Sequence, residues 1–134
     1  MPETISPPQL MTLSGSAHVA IATGAVVAIG GQVGVGADGT TVSHALPAQT
    51  AAALRNLETA VKSAGCSVDD LVKVTYYVVA RSPVELEDFK AGFSLATAQG
   101  VELPLNAAAT LLRVQGLMSD EWLVEIDGLA VRTG

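Results

Sequence analysis

Apolar and polar positions alternate with two different periods along this chain, and the switches between them mark its elements. Leu71–Val79 reads LVKVTYYVV, a β-branched and aromatic run with the period of a strand. The alternation puts Val72, Val74, Tyr76 and Val78 on one face and Lys73, Thr75 and Tyr77 on the other. Upstream, Leu54, Leu57, Val61 and Ala64 recur at helical spacing, so a helix is predicted from about Pro47 to Ala64. Pro47 suits its first turn, Glu58 precedes Lys62 by one turn, and Gly65 is a natural stop. A second helix opens at Ser82-Pro83-Val84-Glu85, read as a capping box with proline at the first helical position. It continues through the stripe Leu86, Phe89, Phe93 and Ala96 and stops at Gly100.

The remaining β-rich runs are shorter. Val19–Thr23 and Val26–Gly30, split by Gly24-Ala25, predict a hairpin. Residues 1–9 carry three prolines and read as an irregular arm, with a short strand at Leu10–Leu13. Ala107–Leu112 and Trp122–Val131 are the last two strands. In the last, Val124, Ile126 and Gly128 share a face and Glu125, Asp127 and Leu129 take the other. The order is β-β-(β)-α-β-α-β-β, an α+β fold in which both helices pack on one face of a single sheet. At 134 residues one domain is expected over the whole chain.

Composition changes the picture in one respect. Apolar residues reach 49% and charged residues only 15%, too little charge to coat a monomer comfortably, so self-association is expected. The second face of the sheet, mixed in polarity, is the surface to be covered.

Charge and cysteine use exclude several classes. Seven Lys and Arg against 13 Asp and Glu give a net charge of −6, and the cations stand singly. Phosphate binding needs clustered cations, so a nucleic-acid partner is not expected. The lone Cys66 fits a reducing compartment, and neither a secretion signal nor a membrane span is read from the sequence, so the cytoplasm is expected.

Four constellations along the chain bear on chemistry. Gly34-Val35-Gly36-Ala37-Asp38-Gly39 has the letters of a dinucleotide fingerprint but runs into Thr40, Thr41 and Val42 instead of a helix, so it reads as a turn and no cofactor is expected. His18 and His44 have no Cys or carboxylate at ligand spacing, and no metal site is expected. Ser14, His18 and Asp127 lack a nucleophile elbow, and Cys66 reads as a loop filler. Glu125 and Asp127 remain: two carboxylates on one strand face are costly to bury unless solvated or hydrogen-bonded. Their alternatives are a solvated edge or interface, and a carboxylate that orients water in a cleft between subunits.

Taken in order, Gly30-Gly31-Gln32, the segment Ala64-Gly65-Cys66-Ser67-Val68-Asp69-Asp70-Leu71-Val72-Lys73-Val74-Thr75, Pro104, and Val124-Glu125-Ile126-Asp127-Gly128-Leu129-Ala130-Val131 resemble the Rid family, also called YjgF and labelled endoribonuclease L-PSP. The resemblance implies a chorismate-mutase-like fold, a homotrimer, and small-molecule clefts between adjacent subunits. It also implies hydrolysis of reactive enamines and imines to a carbonyl compound and ammonia. In such proteins an arginine after the proline binds the substrate carboxylate, and a last-strand glutamate positions water.

Carried onto this chain, the water-positioning role falls on Asp127, and the ligand-facing positions are Asn106, Gly31 and His18, the last beside Gly15-Ser16-Ala17. Asn106 stands where the arginine is expected and Ala108 where many members have cysteine. An asparagine offers a neutral donor instead of a charged fork, a loss on the order of 2 kcal/mol or more, about thirtyfold in affinity. Hydrolysis of 2-aminoacrylate is therefore expected to be weak or absent. The alternative is a non-catalytic trimer that binds a small metabolite.

Overall fold

In a computed structural model spanning Met1–Gly134, the elements follow in the order β1 (Glu3–Ile5), β2 (Val19–Ile21), β3 (Ala25–Val33), α1 (Leu46–Ser63), β4 (Leu71–Val79), α2 (Leu86–Ala98), β5 (Ala108–Val114) and β6 (Val124–Arg132). Four strands form one mixed sheet in the order β3-β6-β4-β5, with β4 and β5 parallel and the other pairs antiparallel. Both helices pack on one face of it and against each other. This is the expected α+β arrangement.

The core lies between that face and the helices. Leu54, Leu57 and Val61 of α1 meet Val74, Val78, Val124 and Ile126 of the sheet, all but fully buried. Each such side chain contributes about 1.5–3 kcal/mol through burial. Both helices end as their glycines predict. Gly65 and Gly100 adopt φ 77° and 81°. In the first, Gly65 N–H bonds the carbonyl of Lys62 and Cys66 N–H that of Val61; in the second, Gly100 bonds Thr97 and Val101 bonds Ala96. Glycine is required because this left-handed step strains any residue with a Cβ.

Several local expectations are corrected. The N-terminal arm is not wholly irregular: Glu3–Ile5 pairs antiparallel with Val19–Ile21 in a separate two-stranded ribbon, so the molecule has two sheets. Leu10–Leu13 is not a strand. Val19–Ile21 and Ala25–Val33 do not pair as a hairpin. At Gly24 (φ 150°) a side chain would collide with the Arg132 carbonyl, and here the chain leaves the ribbon for a position opposite β6.

Val72 does not join the core face. An irregularity in the β4–β6 register between Leu71 and Lys73 sends Leu71 into the core and leaves Val72 half-buried. Ser82 makes no side-chain cap; Pro83–Glu85 is a short 3-10 turn before α2, and the Glu85 carboxylate accepts instead from Arg81 N–H at 2.7 Å. The reciprocal cap lies one strand earlier, where Ser67 N–H donates to Asp70 Oδ2 at 2.8 Å. Cys66 lies in the loop between α1 and β4, and its side chain is buried against the core.

The loops at one end of the sheet are tied together by Gln49, fully buried in α1. Its Nε2 donates to the carbonyls of Ser43 and Glu121, both at 2.8 Å, and its Oε1 accepts from Leu123 N–H at 2.8 Å. Gly34 to Thr41 is the expected turn: Gly39 N–H closes on Gly36, Gly36 N–H on Thr40, and Asp38 Oδ1 accepts from Thr40 N–H. That last bond holds the exposed Asp38 carboxyl below its ordinary pKa.

Candidate functional site

Strand alternation sets the sheet face that no helix covers. Register places Tyr77 opposite Glu125, Thr75 opposite Asp127 and Lys73 opposite Leu129 on β4 and β6, and Thr75 beside Thr110 on β5. Tyr77 Oη donates to Asp127 Oδ2 at 3.1 Å, and Lys73 Nζ to Thr110 Oγ1 at 2.6 Å. Asp127 and Glu125 are half-buried. The bond to Asp127, with smaller contributions from burial and from the charges of Asp127 and Glu125, raises the Tyr77 phenol above its ordinary pKa. The bond holds the phenol neutral, as a donor to the carboxylate.

Gly31 belongs to this face. It lies in an irregularity of the β3–β6 register between Ile29 and Gln32, and a Cβ there would collide with the Glu125 carboxylate. The glycine leaves space that Glu125 fills, directly beside Asp127 on the strand.

Asn106 and His18 sit elsewhere, at the start of β5. Ala17 N–H donates to the Ala107 carbonyl at 3.1 Å, bringing the segment before β2 against that end. His18 Nε2 is 2.6 Å from the Met11 carbonyl, so this imidazole is engaged by backbone. Asn106 Nδ2 donates to Asp69 Oδ1 at 3.2 Å. The four expected site residues thus form two groups, Gly31 with Asp127 and His18 with Asn106, and they line no common cavity within one chain.

The same end of β5 carries a feature that the apolar pattern along the chain does not distinguish from a plain helix stripe and strand face. A groove of 400 Å³ runs between α2 and β5, and the Leu13–Ser16 segment flanks it. Its floor is Tyr76, Phe89 and Phe93, whose ring centroids lie 5.1–5.6 Å apart at steep angles, the edge-to-face arrangement aromatic rings favour. Leu105 and Leu111 form apolar walls, and Lys90 is its one charged lining residue. The signal available beforehand was Phe89 and Phe93 one turn apart, facing the only tyrosine predicted on the core face of β4. Two wider clefts of 580 and 540 Å³ meet at Arg81, and neither has a Phe, Tyr or Trp in its lining.

No helix is long and apolar enough to cross a membrane. The family model described as Endoribonuclease L-PSP matches residues 11–132. Among solved structures, the chain is similar to a protein of unknown function of the conserved Rid family, YyfB from Yersinia pestis, with 30% identity, 98% of each chain covered and a TM-score of 0.82. It is also similar to Rv2704 of Mycobacterium tuberculosis, described as a member of the YjgF/YER057c/UK114 family, at 23% identity over 87% of this chain and 86% of that one, TM-score 0.60. A third likeness, to a Thermotoga maritima protein described as a putative endoribonuclease, has 20% identity over 96% and 93% of the two chains and a TM-score of 0.66. A search of curated proteins found no match. With the family model matched across almost the whole chain and a Rid protein similar along nearly its full length, the chain belongs to the Rid/YjgF family.

Proposed function

We propose that this protein is a cytoplasmic homotrimer that binds a small molecule in clefts between subunits and hydrolyses an imine or enamine there. The observation that carries the reading is the Asp127 carboxylate. It is held by the Tyr77 hydroxyl on the sheet face no helix covers, with one oxygen engaged at 3.1 Å and the other free of protein partners. A carboxylate so fixed can accept a hydrogen bond from water and take its proton as the water attacks the C=N carbon. The nitrogen gains a proton, and the resulting carbinolamine collapses to a carbonyl compound and ammonia. Atoms balance with one water consumed, and neither a metal nor a cofactor is required.

A trimer is the state in which the two groups of site residues come together: Gly31 and Asp127 on the sheet face of one subunit, His18 and Asn106 at the β5 end of the next. Leu112 and Leu129, both at least 40% exposed on that face, favour covering it. Light scattering after gel filtration should give three times 13.6 kDa. A stable monomer at micromolar concentration would remove the cleft. Activity is tested by ammonia release from 2-imino acids generated in the assay, with Asp127→Asn as the control. Release unaffected by that substitution would refute the role of Asp127.

The second reading, a trimer that binds without catalysis, is favoured by Asn106, whose amide is neutral and already engaged with Asp69. It predicts ligand binding without ammonia release. RNA is not a ligand under either reading: with a net charge of −6 and no basic cluster, a fluorescence titration at physiological salt should show no micromolar affinity.

A further inference from the structure

We propose that the groove between α2 and β5 holds the apolar body of an organic acid while Lys90 binds its carboxylate, so that the site favours bulky acids over three-carbon ones. The inference rests on the small-molecule reading above and adds to it the class of ligand.

Size and lining carry the first half. Tyr76, Phe89 and Phe93 account for three of the chain's five aromatic residues, and all three line this one groove. Tyr76 and Phe89 are each 7% exposed, a rigid floor set by the core beneath. The walls differ: Leu105 is 46% and Leu111 41% exposed, apolar surface left bare on either side of the rings. Clefts that enclose organic ligands span roughly 300–1,000 Å³, are mostly apolar, and carry a few convergent polar groups. At 400 Å³ the groove falls in that range. A three-carbon acid would leave most of it to water, whereas an aromatic or branched body would cover the leucines and stack on the rings.

Charge carries the second half. Lys90 is held only by Glu87 at 3.4 Å, and both side chains are about 70% exposed. Such a pair is worth little in water, so the ammonium is free to exchange its partner for a ligand carboxylate. Asn106, where the family resemblance expects a cation, is neutral and turned to Asp69. An apolar floor, a cation at the rim and the hydroxyls of Ser14 and Ser16 match an amphipathic acid.

The test is calorimetric titration of the full-length protein with phenylpyruvate, pyruvate and the neutral ketone phenylacetone. Phenylpyruvate should bind about tenfold or more tightly than pyruvate, the gain expected from burying a benzyl group. Lys90→Met should weaken phenylpyruvate about tenfold and leave phenylacetone unchanged. Leu111→Ser, on an exposed wall whose loss does not open the core, should weaken both. Equal binding of pyruvate and phenylpyruvate, binding of neither, or a Lys90→Met variant with undiminished phenylpyruvate affinity would overturn the proposal. Because the readout is binding, absent ammonia release leaves the inference standing. Turnover of a three-carbon imine without phenylpyruvate binding would sink it and spare the hydrolytic reading.

Discussion

Tyr77 and Asp127 lie on neighbouring strands of the open sheet face, and the tyrosine hydroxyl donates to the carboxylate at 3.1 Å. That bond ranks first among the causes that lift the Tyr77 phenol, ahead of burial and of the charge on Asp127 and Glu125. Tyr76, on the core face of the same strand, is raised by burial alone. Both folded-state values exceed the unfolded one, so the native state keeps these protons more tightly. Stability should therefore be unaffected by either phenol well below pH 10 and fall as pH rises past it. Spectroscopic titration of the phenols checks this, and Asp127→Asn should move the Tyr77 transition downward while leaving Tyr76 where it was.

Asn106→Arg is expected to raise ammonia release from small imino acids less than the added charge alone suggests, because Asp69 already bonds residue 106. The new guanidinium would meet that carboxylate first. Combining it with Asp69→Asn should free the arginine and raise kcat/KM by about tenfold or more over the single variant. Equal rates for the single and double variants would show that Asp69 does not hold the position.

Gln49→Ala should destabilise the protein by about 2–4 kcal/mol, since it strips partners from two carbonyls and one N–H in the loops around Ser43 and Glu121–Leu123. Gln49→Glu should be nearly as damaging, because a carboxylate cannot donate to the two carbonyls. Urea unfolding measures both.

Two glycine substitutions should separate folding from site. At Gly92 a Cβ would press on Thr50 and lie 2.9 Å from the Pro47 carbonyl, where α1 and α2 touch. Gly92→Ala should cost about 1–3 kcal/mol by overpacking. At Gly31 the obstacle is the Glu125 side chain, which can swing aside, so Gly31→Ala should cost less than about 1 kcal/mol yet displace that carboxylate beside Asp127. Thr50, whose buried hydroxyl has no partner, should accept Val with no loss of stability.

Much of the fold was legible in the sequence because its signals are local. Both long helices, their glycine stops and the long strands β4 and β6 follow from periodicity, and the split of β6 into Val124/Ile126 and Glu125/Asp127 faces needs only strand alternation. The family, too, was readable from the spacing of short motifs, since those depend on order along the chain. What failed was non-local. Whether Val19–Ile21 pairs with β3 or with Glu3–Ile5 depends on which edge is free, and no local pattern says so. The exchange of Leu71 for Val72 in the core comes from a register irregularity created by pairing with β6. Asn106 could be named as a departure, but its engagement with Asp69, 37 residues away, exists only once the turn Val68–Asp70 and β5 are brought together. The groove on Tyr76, Phe89 and Phe93 is not legible in the sequence because periodicity reports which face is apolar, not whether the neighbouring element covers it completely. Local chemistry set the elements and their faces; packing decided which of those faces stayed open to a ligand.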